Sequence, residues 1–260
     1  MRRLLLAALF VAIGLLAIAC ADGDTREEAP VLAPPASDTP VFLALGDSLA
    51  AGEGASDPAA TGFIPLVAEA LRERFGEGVT LASLAVPGHT TQALIDEQLP
   101  TALDLLATGD VMLVAVVIGG NDLQQYAADP DCVTDPASPD CPLEDGLLEV
   151  ESRLATILGA LHEAAPETAI VVLAYPNLFS GTGHVYQRQA EIAFDLLDGV
   201  IVSVARRYDA VVADARRSFD GAGHELSHLR DPTPDAHPND EGHRVIANVV
   251  LEALGLLEER

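Results

Sequence analysis

The chain has 260 residues, enough for one large domain or two small ones. Hydrophobic residues make up 49% of it and charged residues 21%, so most of the chain can bury a core. A total of 40 acidic residues against 14 basic ones gives a net charge of −26, and every basic residue is an arginine. This composition excludes a P-loop lysine and a Schiff-base lysine, and it argues against nucleic acid or an anionic lipid surface as a partner held by charge.

The amino terminus has the pattern of an export signal. Arg2 and Arg3 precede an apolar stretch, 4–18, which is shorter than the about 20 residues that a membrane-spanning helix needs. The stretch ends at Cys20 in a sequence that resembles a bacterial lipobox, in which the cysteine is lipidated and becomes the new amino terminus. We therefore predict a lipoprotein signal peptide over 1–20, with an ordinary cleaved signal as the alternative. The protein is expected on the outer side of the cytoplasmic membrane, held only by a lipid anchor at Cys20, or secreted.

Two further segments before and within the main domain have a distinctive composition. Residues 21–40 are rich in proline, acidic and hydroxyl residues and contain no aromatic residue, so we predict a disordered tether there. Cys132 and Cys141 bracket a loop rich in proline and aspartate. Because an exported compartment is oxidising, we predict a disulfide between them. A metal-binding pair is the alternative, although no further ligands stand at zinc-site spacing.

From residue 41 onward, short apolar runs alternate with longer segments of helical period. The predicted strands are Val41–Leu45, Val79–Leu84, Val111–Ile118, Ala169–Ala174 and Ala210–Ala213. The predicted helices are Phe63–Phe75, Thr91–Leu106, Leu147–Ala165, Val185–Tyr208 and Glu241–Leu256. The third run has no polar alternation, which is typical of a strand covered on both faces. Five strand–helix repeats without a second linker predict one domain over 41–260, with a parallel sheet between two layers of helices.

Four short motifs follow the predicted strands. They are Gly46-Asp47-Ser48-Leu49, Pro87-Gly88-His89, Gly119-Gly120-Asn121-Asp122, and Asp235-Ala236-His237-Pro238-Asn239 on the loop before the last helix. The carboxyl ends of parallel strands share one edge of the sheet, and ligands bind at that edge. Ser48 is suited to act as a nucleophile with His237 as its base. The N–H groups of Ser48 and Gly88 and the side-chain amide of Asn121 can donate to an oxyanion.

Through these four motifs the sequence resembles the SGNH hydrolases, also called the GDSL lipase/esterase family, over nearly the whole domain. The resemblance implies the SGNH hydrolase fold, a flavodoxin-like three-layer α/β/α sandwich with a doubly wound, parallel, five-stranded sheet. It also implies hydrolysis of carboxylic esters without a metal or cofactor. We therefore predict an exported, monomeric serine ester hydrolase that forms an acyl-enzyme on Ser48 and acts on a small-molecule, lipid or glycan ester.

The sequence departs from the family pattern at the acidic residue of the triad. That residue usually stands three positions before the histidine, where this chain has Pro234. Asp235 is our predicted partner for His237, with Asp231 or a backbone carbonyl as alternatives. The second motif often carries an asparagine two residues before its glycine, where this chain has Val86. In that motif only Gly88 matches.

Two other functions compete with the esterase prediction. His224-Glu225-Leu226-Ser227-His228 matches the H-E-x-x-H pattern of zinc proteases, but glycines precede it and prolines follow it closely. A non-catalytic SGNH module that binds a glycan or lipid is the other alternative, although such a module would not require Ser48, Asn121 and His237 together. The sequence does not fix the acyl chain or the alcohol, and acyl transfer to an acceptor other than water is a variant of the same chemistry.

Overall fold

A computed structural model describes residues 32–127, 129, 131, 132, 138 and 140–257. The predicted signal peptide, Cys20 and the first part of the predicted tether lie outside the described residues. Residues 32–40 form neither helix nor strand, but they contact the domain. Leu32 is buried and its N–H donates to the carbonyl oxygen of Leu254 at 3.0 Å, and Ser37 Oγ donates to Asp110 at 2.6 Å. Part of the predicted tether, at Leu32 and Ser37, therefore contacts the domain.

Five parallel strands form the central sheet in the order β2-β1-β3-β4-β5. They are β1 Val41–Gly46, β2 Thr80–Ser83, β3 Val111–Val117, β4 Ala169–Ala174 and β5 Val211–Asp214. Each lies within one residue of its predicted bounds. The central strand β3 is apolar throughout and almost fully buried, because helices cover both faces of a parallel sheet.

Helices pack on the sheet in two groups. The helices, in chain order, are α1 Ser48–Ala51, α2 Phe63–Phe75, α3 Thr91–Ala93, α4 Leu99–Leu106, α5 Gln124–Ala127, α6 Leu143–Ala164, α7 Gln187–Arg207, α8 Gly223–Leu226 and α9 Asp240–Ala253. Helix α2 packs against α9, while α6 packs against both α4 and α7. The predicted three-layer α/β/α sandwich with the flavodoxin-like strand order is confirmed. Among the helices of the described residues, none combines the length and the apolar character needed to cross a membrane.

The structure differs from the predicted elements at several places. The predicted helix 91–106 is interrupted by a π-helical segment, Leu94–Gln98, between α3 and α4. Helix α6 begins at Leu143 rather than Leu147, directly after a proline, which is tolerated at a helix start. The predicted loop before the last helix contains an antiparallel pair, β6 Ser227–His228 and β7 Asp235–Pro238. The predicted base His237 therefore lies on a short paired strand rather than on a loop.

The junction between β1 and α1 is shaped by glycine and by a helix cap. Gly46 has a φ of 148°, and a Cβ atom there would come within 2.2 Å of the carbonyl oxygen of Val117 on β3, so only glycine fits. Asp47 caps α1 by accepting a hydrogen bond from the N–H of Leu49 at 3.0 Å. Ser48 is therefore held in the first turn of α1, directly beyond the carboxyl end of β1.

Candidate active site

Ser48, His237 and Asp235 form a continuous chain of contacts. Ser48 Oγ lies 3.0 Å from Nε2 of His237, although 189 positions of sequence separate the two residues. Nδ1 of His237 lies 2.7 Å from Asp235 Oδ1, which also accepts the backbone N–H of His237 at 3.1 Å. A carboxylate at Nδ1 favours the tautomer with its proton on that nitrogen, which leaves the lone pair of Nε2 facing the serine hydroxyl. In this arrangement Nε2 of His237 can accept the proton of the Ser48 hydroxyl.

Asp231, the alternative to Asp235, contacts a different histidine. Its Oδ2 atom lies 2.7 Å from Nδ1 of His228, and Nε2 of His228 lies 2.7 Å from the carbonyl oxygen of Gly54. The bond to the Gly54 carbonyl, followed by the bond to Asp231, raises the pKa of His228 above its usual value. Asp231 therefore supports the loop that contains Gly54 and does not contact the His237 ring.

Asp47 is a buried carboxyl next to Ser48 in sequence. Its Oδ2 atom accepts a hydrogen bond from the hydroxyl of Tyr175 at 2.6 Å. Burial raises the pKa of Asp47 to about 6, although the hydrogen bonds from Tyr175 and Leu49 act in the opposite direction. Tyr175 was not among the predicted site residues. The available signal was its position, because it directly follows β4 at the edge of the sheet where the other motifs lie.

The two other predicted oxyanion donors lie on neighbouring turns. Asn121 follows β3, and its Nδ2 atom donates to the carbonyl oxygen of His89 at 2.9 Å. Its Oδ1 atom accepts from Nε2 of Gln124 at 2.9 Å, so both ends of the amide are fixed. Gly88 has a φ of 79° in a turn closed by the bond from His89 N–H to Val86 O at 3.2 Å. Asn121 lines the same cavity as Ser48, whereas Gly88 is not among the lining residues.

A cavity of about 340 Å³ opens beside Ser48 and His237. This volume lies within the range of small-molecule sites. Most of its wall is apolar, and the large aliphatic, phenyl and phenol side chains there are Leu49, Leu123, Tyr126, Leu143, Tyr175, Leu178, Phe179, Tyr186 and Phe194. A second groove of about 400 Å³ lies around Asp195, Asp198 and Arg216, but none of the predicted site residues lines it. We therefore assign the candidate site to the cavity at Ser48.

Cys132 and Cys141 are joined by the predicted disulfide, with their Cα atoms 4.7 Å apart. Cys132 also lines the cavity, and both cysteines are buried. The bridge closes a loop whose residues 133–137 and 139 lie outside the described part of the chain. It therefore braces the cavity wall close to the start of α6.

Glu53 is a second carboxylate beside His237 that the sequence analysis did not select. Its Oε2 atom lies 3.3 Å from Nε2 of His237, and 45% of its side chain is exposed. The next residue, Gly54, has a φ of 86°, and a Cβ atom there would come within 2.8 Å of the Cβ atom of His237. The backbone of this loop therefore packs directly against His237, and only glycine allows that approach.

The H-E-x-x-H sequence does not form the helical zinc site that its pattern predicts. Helix α8 ends at Leu226 and His228 lies in β6, so His224 and His228 do not share one helical face. Nε2 of His224 lies 2.9 Å from the carbonyl oxygen of Thr182, and His228 contacts Gly54 and Asp231. Within the ranges that the structure describes, no three His, Cys, Asp or Glu side chains are grouped as metal ligands.

Comparison with known proteins gives one family and a group of similar folds. The model of the GDSL-like Lipase/Acylhydrolase family matches residues 44–245. A catalytic mutant of an acetylxylan esterase from Geobacillus stearothermophilus superposes with a TM-score of 0.65 at 17% identity, covering 88% of this chain and 100% of that one. A phospholipase A1 from Streptomyces albidoflavus NA297 superposes with a TM-score of 0.60 at 21% identity, covering 82% of this chain and 99% of that one. An extracellular lipase from Streptomyces rimosus superposes with a TM-score of 0.58 at 21% identity, covering 81% of this chain and 99% of that one. No curated protein sequence matches the chain significantly.

Proposed function

This chain belongs to the GDSL-like lipase/acylhydrolase family and is a carboxylic ester hydrolase, and we propose that it works through an acyl-enzyme on Ser48. In this proposal Ser48 is the nucleophile, His237 is the general base, and Asp235 orients His237. The observation that carries it is the contact of 3.0 Å between Ser48 Oγ and His237 Nε2, continued by the contact of 2.7 Å to Asp235. A serine hydroxyl is a weak nucleophile at neutral pH and requires such a base.

The proposed reaction has two halves that use the same groups. His237 Nε2 takes the proton of Ser48 as Oγ bonds to the acyl carbon, and the resulting oxyanion accepts from Ser48 N–H, Gly88 N–H and Asn121 Nδ2. The bond to the alcohol then breaks as the alcohol oxygen takes the proton from Nε2. A water molecule repeats these steps on the acyl-enzyme, which releases the acid and restores Ser48. No step requires a metal or an organic cofactor.

The lining of the cavity supports the proposal that it holds the acyl part of the ester. Its walls are mostly apolar, so they are suited to an acyl chain rather than to a sugar or a charged alcohol. The structural relatives include an acetylxylan esterase and a phospholipase, so the fold itself does not fix the acyl group. Burying one methylene group contributes about 0.8 kcal/mol, or roughly a fourfold gain in kcat/KM if the transition state retains it. We therefore expect an apolar chain of several carbons, whether the alcohol belongs to a small molecule or a lipid.

The nucleophile is tested by the Ser48→Ala variant. Turnover of p-nitrophenyl esters should fall by about a thousandfold or more, because the variant lacks the hydroxyl that contacts His237 Nε2. An alkyl fluorophosphonate should label the wild-type protein covalently and leave the variant unlabelled. Ser83→Ala, at the exposed end of β2, is the matched control and should retain both rate and labelling. A folded wild-type protein that neither turns over esters nor takes the label would favour the non-catalytic binding module.

A series of p-nitrophenyl esters from acetate to palmitate tests the acyl site. We expect kcat/KM to rise with each added methylene and to level off once the chain fills the cavity. Maximal activity on acetate, followed by a steady fall, would contradict an apolar acyl site.

We further propose that the protein is exported and held by a lipid on Cys20. The charged and apolar pattern of residues 1–20 supports this, and so does the disulfide between Cys132 and Cys141, because such bonds persist in oxidising compartments. Cells grown with a palmitate analogue that carries a click handle should incorporate it into the wild-type protein and not into the Cys20→Ala variant. Unlabelled wild-type protein recovered from the cytoplasm with free thiols would contradict the proposal.

A further inference from the structure

Glu53 lies beside the proposed base but outside the apolar cavity, and we propose that it selects the alcohol part of the ester, favouring a cationic alcohol over an anionic one. This inference rests on the proposed roles of Ser48 and His237. Oε2 of Glu53 is 3.3 Å from Nε2 of His237, whereas the residues that line the cavity include His237 and not Glu53. His237 therefore lies between an apolar cavity, which is suited to the acyl chain, and the carboxylate of Glu53.

The chemistry of the second half of the reaction brings the alcohol to Glu53. The alcohol oxygen must take its proton from Nε2 of His237, so it must come within about 2.6–3.2 Å of that atom. With the acyl chain in the cavity, the alcohol has to extend toward solvent past the other groups that surround Nε2. Glu53 is such a group, since its carboxylate contacts the same nitrogen. The first atoms of the alcohol therefore pass within contact distance of a negative charge.

Two histidines hold the backbone that carries Glu53. Nε2 of His243 donates to the carbonyl oxygen of Glu53 at 2.9 Å, and Nε2 of His228 donates to the carbonyl oxygen of Gly54 at 2.7 Å. His243 is fully buried, and its Nδ1 atom accepts the N–H of Phe63 at 3.3 Å. Two consecutive carbonyl groups are thus fixed by two imidazole rings, one of them from the H-E-x-x-H sequence that forms no metal site.

Asp240 fixes the next part of the same loop to the start of α9. Its carboxylate accepts the N–H of Ser56 at 2.7 Å, the hydroxyl of Ser56 at 2.6 Å and the hydroxyl of Thr61 at 2.7 Å. Together with the two histidines, these bonds hold the loop at both sides of Gly54. Glu53 is therefore presented to the site by a braced segment.

The charge of Glu53 is available to a ligand. Within the described part of the chain, its one ion-pair partner within 4 Å is His237, and no arginine neutralises it. Ser48 Oγ is the nearer neighbour of His237 Nε2, at 3.0 Å against 3.3 Å for Glu53 Oε2. Because Glu53 is about half exposed, solvent screens its interaction with a passing charge. We expect the preference between a cationic and an uncharged alcohol of equal shape to be about threefold to tenfold.

Three esters of the same acid test this selection. They are butyrylcholine, its uncharged isostere in which a carbon atom replaces the quaternary nitrogen, and the butyrate ester of an anionic hydroxy acid. We expect kcat/KM of the wild-type protein to decrease in that order. In Glu53→Gln the cationic and uncharged esters should become equal within about twofold, and Glu53→Asp should restore part of the preference. Glu69→Gln is the matched control, because Glu69 is exposed, pairs with Arg72 on α2 and should leave the order unchanged.

The outcomes separate this inference from the proposed function. If Glu53 only supports the His237 ring, its replacement will lower kcat/KM for all three esters by one factor and leave their ratios unchanged, which would overturn the inference. A wild-type protein that hydrolyses the three esters equally would overturn it as well. Failure of the proposed function would look different, since no ester would be turned over and the fluorophosphonate would not label Ser48.

Discussion

The hydroxyl of Tyr175 donates a hydrogen bond of 2.6 Å to Asp47, and this bond joins the carboxyl ends of two strands that are not neighbours in the sheet. Asp47 follows β1 and Tyr175 follows β4, with β3 lying between them. Asp47 also caps the helix on which Ser48 stands. The orientation of the proposed nucleophile therefore depends on a side chain that follows a strand two places away in the sheet.

Replacing Tyr175 by phenylalanine should lower the free energy of unfolding by about 1–3 kcal/mol, because it leaves a buried carboxyl without one of its donors. The pKa of Asp47 should rise further above its usual value, since the Tyr175 bond lowers it at present. Urea denaturation at pH 7.5 measures the first effect. Tyr208→Phe, after the end of α7, is the control and should stay within about 0.5 kcal/mol of the wild type. Equal stability of Tyr175→Phe and wild type would contradict the importance of this bond.

Asp235→Asn should lower kcat by about a hundredfold to ten-thousandfold, because an amide favours the wrong tautomer of His237 and cannot stabilise the imidazolium. Asp231→Asn should lower it by less than about threefold, since Asp231 contacts His228 and not His237. Steady-state kinetics on one p-nitrophenyl ester compares the two. A larger loss in Asp231→Asn than in Asp235→Asn would reassign the acidic residue.

Asn121→Ala should reduce kcat by about a hundredfold to a thousandfold with little change in KM, because an oxyanion donor acts mainly in the transition state. Gln124→Ala should cause a smaller loss, since it frees the Asn121 amide without removing it. Saturation kinetics separates kcat from KM for both variants. If Asn121→Ala keeps kcat within about threefold of the wild type, Asn121 is not an oxyanion donor.

The raised pKa of the Asp198 carboxyl predicts how the free energy of unfolding depends on pH. Asp198 is fully buried on α7, accepts the N–H of Tyr175 at 2.9 Å and lies 3.1 Å from Arg216, and burial raises its pKa to about 7. The folded state then keeps a proton that the unfolded chain has lost, so stability should fall as pH rises from about 4 to 7. We expect the free energy of unfolding to fall by on the order of 2 kcal/mol between pH 5.5 and pH 7.5. Asp47 contributes over the lower part of that range.

The Asp198→Asn variant checks this assignment, because its side chain does not titrate. Its unfolding free energy, measured by urea denaturation at several pH values, should vary less steeply than that of the wild type. Asp195→Asn is the matched control, since Asp195 pairs with the same Arg216 but is mostly exposed. Parallel pH curves for wild type and Asp198→Asn would show that another group controls the dependence.

The elements of the sheet could be predicted because their signals are local. β1, β3 and β4 are unbroken apolar runs, and a parallel sheet covered on both faces requires that pattern. Ser48 and Asn121 could then be placed at one edge, since each lies within four residues of the carboxyl end of a strand. The disulfide between Cys132 and Cys141 was also predictable, because the two cysteines flank one short loop.

Other features depend on contacts between distant parts of the chain and have no local signal. The pair β6 and β7 consists of very short strands with an irregular register, so no alternation marks it. Glu53 reaches His237 only because His228 and His243 hold its loop from elements more than 170 positions away. The sequence left Asp231 open as an alternative to the predicted Asp235, since both stand before His237 on the same segment, and only the contacts distinguish them.

The placement of Ser48 at the first strand–helix junction and of His237 just before the last helix has a consequence for biosynthesis. Under the proposed mechanism, a nascent chain that ends before His237 has no base for Ser48, so we expect it to be inactive towards esters. We therefore expect ester hydrolysis only after the carboxyl-terminal segment has docked and completed the site.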